Sequence, residues 1–453
     1  MIREMRLQEI QELTGGSLSK ADVSFNAVSI DSRTLAAGNL YVAIKGEHFD
    51  GNDFVAEAEK KGAAGAIINR ETETALPTLQ VKDTRLALGK IGLHNRLLSQ
   101  AKVLALTGSQ GKTTVKEMTA SILAVSGKVL KTKGNLNNDL GVPLTLLQLE
   151  AEHEFAVIEL GANAPGEIAY SSAFVRPQVA HITNVAPTHL EGFGDLDGVA
   201  RAKGEIWESL DETGIAVVNL DDAYAGQWIE QLKGKRLVTI SALGKSTADF
   251  RVAALEFNDA MHSQFILHTP VGELSIKLAL PGHHNVSNAL AAAALSIQAG
   301  AGLSAVQQGL QNMQPVPGRM TLRKGFKQAV IIDDSYNASP SSFQAAIDVL
   351  ARQLGTTIIA MGDMAELGSY TDEAHREIGT YARQKGIDLL YTIGSSSQLA
   401  TESFGKDARH FTQMDALAQH LMSLLDPTVT LLIKGSRSAG MDKLVSTLTQ
   451  EGD

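Results

Sequence analysis

The chain has 453 residues, 44% of them hydrophobic and 20% charged, with a formal net charge of -10. Such a composition describes a globular protein with room for roughly two to four cores, of which three are expected, and the acidic balance argues against a general nucleic-acid binder. Cysteine is absent, which excludes a disulfide framework, a thiolate metal site and a cysteine nucleophile.

Met1 to Lys20 is interrupted by Arg3, Glu4, Arg6, Glu9 and Glu12, so it lacks the apolar core of a signal segment, and no run approaches the length of a membrane span. A cytoplasmic location is the resulting expectation. Residues 1–82 alternate strand-like runs, such as Leu40 to Ile44 and Ala66 to Ile68, with turn clusters such as Gly46 to Asn52, and read as a small α/β domain. Two polar turns, Ile30-Asp31-Ser32-Arg33 and Lys45-Gly46-Glu47-His48-Phe49-Asp50-Gly51, sit at strand ends where a ligand could be held. Either turn taken alone is better explained by ordinary turn chemistry.

Residues 83–315 contain the most informative segment. The apolar run Val103 to Leu106 leads into Thr107-Gly108-Ser109-Gln110-Gly111-Lys112-Thr113-Thr114, and Val115, Met118 and Ile122 then recur at helical spacing. Strand, glycine loop and helix in this order form a phosphate site: Gly108 and Gly111 let backbone N–H groups converge on phosphate oxygens. Lys112 supplies a cation, and the Thr113 hydroxyl would complete a magnesium shell. The general pattern has four residues between its first glycine and Gly-Lys-Ser/Thr, whereas only Ser109 and Gln110 separate Gly108 from Gly111. A chance glycine-rich turn is the competing explanation, weakened by the helix that starts where phosphates need its dipole.

Strands are expected at Lys128 to Thr132, Phe155 to Leu160, Val179 to Asn184 and Ile215 to Asn219, giving a mainly parallel sheet with helices on both faces. Alternation between Asp249 and Leu280 predicts an antiparallel excursion, followed by an alanine-rich helix over Asn288 to Ala299. Glu159 ends its apolar strand, where an acid more often merely caps a strand or turn, but with a phosphate loop upstream the magnesium-binding reading is favoured. His189 follows the next strand and is a candidate metal ligand, while His181 inside that strand is read as structural. Asn135, Asn137, Asn138 and Asp139 form a polar knot that either orients a ligand or makes Asx turns. Lys203 reads as an ordinary exposed helical lysine.

Pro315-Val316-Pro317-Gly318-Arg319 cannot continue a helix and is the strongest linker signal, a candidate hinge. Residues 316–453 carry strands at Ala329 to Asp333, Thr357 to Met361, Leu389 to Ile393 and Thr430 to Ile433, which predict a Rossmann-like third domain. Its polar clusters Asp334-Ser335-Tyr336-Asn337, Gly362-Asp363-Met364 and Lys434-Gly435-Ser436-Arg437 all follow strands, where open α/β sheets hold their ligands. Tyr336, Asn337, Asp363, Lys434, Ser436 and Arg437 are therefore candidate substrate contacts.

With these residues in view the chain resembles the Mur ligase family of peptidoglycan synthesis across all three segments. The family's short loop, Thr-Gly-x-x-Gly-Lys-Thr-Thr, accounts for the two-residue gap. Gly134-Asn135-Leu136-Asn137-Asn138, His189-Leu190-Glu191-Gly192-Phe193-Gly194, Asp333-Asp334-Ser335-Tyr336-Asn337-Ala338, Gly362-Asp363-Met364-Ala365-Glu366-Leu367-Gly368 and Lys434-Gly435-Ser436-Arg437-Ser438 resemble the member that adds a D-Ala-D-Ala dipeptide. The resemblance implies an ATP-dependent amide ligase joining D-Ala-D-Ala to UDP-MurNAc-tripeptide, expected to act as a monomer. It implies that the N-terminal domain holds the UDP end through Ile30, Ser32, Glu47, His48 and Phe49, and that the central domain binds ATP. The C-terminal domain would bring in the dipeptide. Asn285 and Asn288 match the adenine-side motif, and Arg319 and Asp334 match hinge-side contacts to phosphate and ribose. Glu159 and His189 match Mg2+ ligands, and Lys203 matches the lysine that many members carry as a carbamate. The rival readings are another amide ligase of the superfamily, either the enzyme adding the third stem-peptide residue or folylpolyglutamate synthase, and a nucleotide-driven switch without ligase activity.

Overall fold

The computed structural model describes residues 1–258 and 262–449, so residues 259–261 of the expected antiparallel excursion and the last four residues of the third segment lie outside the described residues. The α/β architecture follows the expectation. Near the N-terminus, strands Ala27–Ser29, Asn39–Val42, Gly65–Ile68 and Thr78–Gln80 run parallel, and Ser17–Leu18 pairs antiparallel at the edge. The Asp83 carboxylate then accepts N–H bonds from Arg85 and Leu86 and starts the helix Thr84–Leu98. That helix was not anticipated, because Gly89 and Gly92 weaken its propensity. Their purpose is close approach: a Cβ on Gly89 would collide with the Phe174 ring, and one on Gly92 would lie 3.0 Å from Pro143. Ala87, Leu88 and Ile91 pack into one cluster with Met5, Leu7, Ile67 and Leu79.

The central sheet has nine strands. Val129–Lys131, Phe155–Glu159, Lys102–Thr107, Val179–Ile182, Ile215–Asn219, Arg236–Ser241 and Phe250–Phe257 are neighbours in that order and all parallel. His262–Thr269 and Gly272–Pro281 extend the edge antiparallel, as the alternating pattern required. Successive residues of the buried strands serve opposite faces: Leu104, Leu106 and Val157 enter one apolar cluster, and Val103, Ala105, Ala156 and Ile158 enter the other. This double burial explains why the strands read as continuous apolar runs. Helix His283–Gln298 begins earlier than anticipated, since the polar residues before Asn288 form its first turn.

The C-terminal sheet orders Thr321–Lys324, Val330–Asp334, Val429–Lys434, Thr356–Gly362, Leu389–Ile393 and Ala408–Phe411, parallel except at its first edge. Ile332, Ile359 and Leu432 face one cluster while Ile331, Ile358 and Leu431 face the other. Between helix Leu303–Gln311 and strand Thr321–Lys324 the proline segment has no regular structure, and Gly318 adopts a φ of 73°. Among the described residues no helix is long and apolar enough to cross a membrane.

Candidate active site

A cleft of about 590 Å³ lies where the carboxyl ends of the central and C-terminal strands face one another. Its central wall is the phosphate loop. Strand Lys102–Thr107 delivers the loop and helix Lys112–Leu123 receives it, with Gly111 at a φ of 77° as the residue before the helix. Gly108 has a φ of 143°, and a Cβ there would strike Thr183; one on Gly111 would lie 2.5 Å from Asn288 Oδ1. The glycines thus serve both conformation and approach. Thr107 lies beneath the loop, fully buried, with its hydroxyl donating to the Leu160 carbonyl at 2.8 Å. Ser109, Gln110, Gly111, Lys112, Thr113 and Thr114 line the cleft.

Lys112 Nζ donates to the Gly108 and Ser109 carbonyls at 2.7 and 3.4 Å, which sets the ammonium over the loop. Burial pushes its pKa below the usual lysine value; Glu159 opposes that shift and Arg319 adds to it. A desolvated cation at a helix N-terminus is a strong attractor for phosphate oxygens.

Glu159 is nearly fully buried. Its Oε1 accepts from Asn137 Nδ2 at 2.9 Å, whereas Oε2 has no hydrogen-bond partner and stands 3.7 Å from Lys116 Nζ. Asn138 spends its side-chain oxygen on the Gly141 N–H at 2.9 Å. Both explanations of the asparagine knot therefore operate at once, a turn and a grip on the acid. Lys116, one helical turn beyond Lys112, also donates to the Thr132 carbonyl at 2.8 Å. Sequence reading missed it, although the four-residue interval from Lys112 placed it on the same helix face.

Among the described residues no three acidic or histidine side chains converge as a ready-made cation cage. Magnesium seldom needs one, since it commonly takes one or two carboxylates with substrate phosphates and water. An acid with one unpartnered oxygen beside a phosphate loop fits that requirement. His189 also lines the cleft, and its Nδ1 lies 2.6 Å from Glu366 Oε2, a residue of the Gly362 to Gly368 motif to which sequence reading assigned no site role. Both ends of this contact have positive φ, 53° at His189 and 63° at Glu366, a conformation held against its usual cost. Hydrogen bonding to His189 keeps the Glu366 carboxyl below its ordinary range.

Lys203 is 1% exposed rather than solvated, contrary to the reading from its sequence alone. Its Nζ sits 5.3 Å above the Phe193 ring, and burial, with the Lys112 charge next in weight, pulls its pKa down to about 7. The amine lies close behind the cleft without lining it. His181, read as structural, bonds the Val217 carbonyl through Nδ1 at 2.8 Å, and desolvation draws its pKa to about 4; its other face reaches the cleft.

Helix His283–Gln298 flanks the loop, and the C-terminal segment supplies the opposite wall. Asn285 bonds the Pro281 carbonyl at 2.7 Å, and Asn288 donates to Asn285 at 3.1 Å, so both amides are fixed beside Gly111. Arg319 donates to Thr113 Oγ1 at 3.0 Å and stacks 4.3 Å from the Tyr336 ring centroid, a flat cationic surface suited to a nucleotide. Asp334 accepts from the Met320 N–H at 3.1 Å and from Lys434 Nζ at 2.6 Å. Asn337 and Arg437 also line the space. Asp363 does not: its carboxylate accepts the Ser396 and Ser397 N–H groups at 3.1 and 2.7 Å, and its carbonyl accepts the Ser436 N–H at 2.8 Å, which fixes the loop ends behind the wall.

The N-terminal candidates stand apart from this cleft. Ser32 is buried and donates to Glu57 at 3.0 Å, Ile30 is partly exposed, and Glu47 and His48 are exposed on a tight turn closed by the Gly46 N–H to Phe49 carbonyl bond of 2.8 Å. Phe49 is 72% exposed, an unusual placement for a phenylalanine. Arg85 links the turn to the central domain by pairing with Asp139 and donating to the Lys45 carbonyl at 3.3 Å.

Known proteins share this arrangement. Residues 24–96 match the Mur ligase family catalytic domain, 106–296 the Mur ligase middle domain and 318–437 the Mur ligase glutamate ligase domain. The chain is 44% identical over 98% of both proteins to the UDP-N-acetylmuramoyl-tripeptide--D-alanyl-D-alanine ligase of Escherichia coli (strain K12). A crystal structure of MurF from Acinetobacter baumannii superposes with a TM-score of 0.93 at 36% identity, covering 98% of each chain. The MurF ligase from Thermotoga maritima in complex with ADP superposes with a TM-score of 0.83 at 26% identity, covering 93% of this chain and 96% of that one. Three matched segments in order, around a cleft whose walls come from two of them, lead to one conclusion: the chain belongs to the Mur ligase family.

Proposed function

We propose that the chain joins D-alanyl-D-alanine to UDP-N-acetylmuramoyl-tripeptide at the expense of ATP, acting as a cytoplasmic monomer. The observation that carries this reading is the meeting of the phosphate loop and Glu159 with Arg319, Asp334 and Lys434 of another domain in one cleft. A nucleotide held there touches both domains. Residues 1–82 hold the UDP end through the turns at Ile30, Ser32 and Glu47 to Phe49, residues 83–315 bind ATP, and residues 316–453 bring in the dipeptide.

A carboxylate does not acylate an amine unaided. A tripeptide carboxylate oxygen attacks the γ-phosphorus, its bond to ADP breaks, and an acyl phosphate results. The neutral dipeptide amine then attacks the acyl carbon, the carbon–oxygen bond to phosphate breaks, and the nitrogen gives up a proton to the departing phosphate or to water. Lys112 and the loop N–H groups hold the charge that spreads over the transferring phosphoryl oxygens, a term that is worth most where water is excluded. Asn137 fixes Glu159 for this work, and Arg319 and Asp334 orient the nucleotide from the C-terminal side. Bound Mg2+, held by Glu159 with Thr113 and His189, would supply further neutralisation of phosphate charge. Closure about residues 315–319 keeps water from the acyl phosphate.

Purified protein with ATP, magnesium, D-alanyl-D-alanine and UDP-N-acetylmuramoyl-tripeptide is expected to release ADP and a product heavier by the dipeptide residue mass, with each omission stopping both. Phosphate release that persists without the dipeptide and the sugar-peptide would instead favour a nucleotide switch.

Lys203 fits the chemistry of a carbamate. Only the neutral amine adds carbon dioxide, and a pKa near 7 raises the neutral fraction at neutral pH by about a thousandfold over an ordinary lysine. The anion so formed would relieve the repulsion from Lys112. Incubation with 13C-bicarbonate is expected to give a carbamate carbon resonance that vanishes in Lys203→Ala. The signal should grow as pH rises through 7, because deprotonation precedes the addition; its absence at pH 8 would overturn the assignment.

A further inference from the structure

The phosphate loop reaches the C-terminal domain through a neutral side chain. Gln110 Nε2 donates to Ser339 Oγ at 2.8 Å and also to Ser341 Oγ. Its backbone is held from the other side: the Gln110 N–H donates to Asn184 Oδ1 at 3.0 Å, and its carbonyl accepts from Thr183 Oγ1 at 2.5 Å. Ser339 precedes helix Pro340–Leu350, and its N–H donates to Ser342 Oγ at 2.9 Å, which fixes the start of that helix. One residue therefore ties the loop, the end of a central strand and the first turn of a C-terminal helix together.

Two other contacts that cross the cleft behave differently. Thr113 with Arg319 and His189 with Glu366 both use groups assigned above to phosphate or magnesium, so they must exchange partners as substrates arrive. Gln110 has no such conflict. Its amide is uncharged and directed at two hydroxyls, and its own N–H is already engaged with Asn184, so phosphate and magnesium do not compete for the groups that make the bridge.

We infer that Gln110 is a positioning residue for the acceptor: through Ser339 and Ser341 it seats the C-terminal domain against the phosphate loop, setting where the dipeptide amine meets the activated carboxyl group. This rests on the ligase reading. The bridge acts on acceptor geometry, and small displacements of a nucleophile are costly in rate. One neutral hydrogen bond corresponds to about a fivefold effect.

Ser341→Ala removes the far partner and leaves the loop sequence intact. In this variant kcat/KM for D-alanyl-D-alanine is expected to fall about fivefold, while ADP affinity by calorimetry stays within about twofold of wild type and Ser341→Thr restores the rate. Gln110→Ala should lower the same constant, and the double variant should lose no more than the worse single one. Multiplying effects, or ADP affinity falling in step with kcat/KM, would overturn the inference. If the wild-type chain forms no amide, the ligase reading has failed, and the bridge is then judged by X-ray scattering with ADP: nucleotide-induced compaction should be reduced in Ser341→Ala, and identical profiles overturn it.

Discussion

Replacing Lys112 by alanine is expected to lower amide formation by about a hundred- to a thousandfold with little loss of stability. The two halves of that outcome come from different features of the same residue. Its Nζ donates only to loop carbonyls, Gly108 at 2.7 Å and Ser109 at 3.4 Å, so removal breaks no hydrogen bond to another side chain, and the buried Glu159 keeps Lys116 Nζ at 3.7 Å. The helix beyond stays anchored by Val115, Met118 and Ile122, all fully buried. What disappears is a desolvated cation aimed where phosphate charge develops, and neither the loop N–H groups nor Arg319 from the other wall can occupy its place. Lys112→Arg should also be strongly impaired, because a planar guanidinium does not fit a site built around a point charge. Steady-state ADP release with saturating dipeptide measures the first half, and thermal melting the second. Turnover near that of wild type would remove the loop from the reaction.

The loop was legible because its requirements are local: glycine where φ is positive, lysine next, a helix directly after. The strands were legible for the same reason, since double burial writes itself as an unbroken apolar run such as Val103 to Leu106. Lys203 shows where local reading ends. Between Ala202 and Gly204 it looks like any helical lysine, and only tertiary burial, with the Phe193 ring against it and Lys112 nearby, makes it an amine with a lowered pKa. The role of Glu366, a residue of a quoted motif, and Lys116 altogether were missed on similar grounds, because each matters through a partner distant in sequence, His189 in one case and Glu159 in the other. Asp363 shows the converse: a polar residue after a strand fits the ligand-crevice rule, yet its carboxylate is used on the Ser396 and Ser397 N–H groups. Helix Thr84–Leu98 carries two glycines that look like breakers until Phe174 and Pro143 are found against them.

The largest expected loss of stability follows from Lys434→Met. Asp334 and Lys434 are register partners at the ends of adjacent parallel strands, 2.6 Å apart, with side chains 12% and 2% exposed. Removing the lysine leaves the Asp334 carboxylate without its cation, takes away a bond of 2.9 Å to the Asn337 carbonyl, and strips the ammonium that lies 5.5 Å from the Phe343 ring centroid. Breaking one side of a buried pair costs about 3 kcal/mol, which corresponds to a fall of roughly 10 °C in the calorimetric transition of the C-terminal domain. Adding Asp334→Asn should recover about half of that loss, since the amide still accepts the Met320 N–H and no charge remains unpaired. Nucleotide affinity should not recover with it, because the proposed ribose contact needs the Asp334 carboxylate. Recovery of stability without recovery of ADP binding would separate the structural use of this pair from its use in the cleft. If both return together, Asp334 serves the fold alone, and the C-terminal wall must hold the nucleotide through Arg319 and its stack on Tyr336.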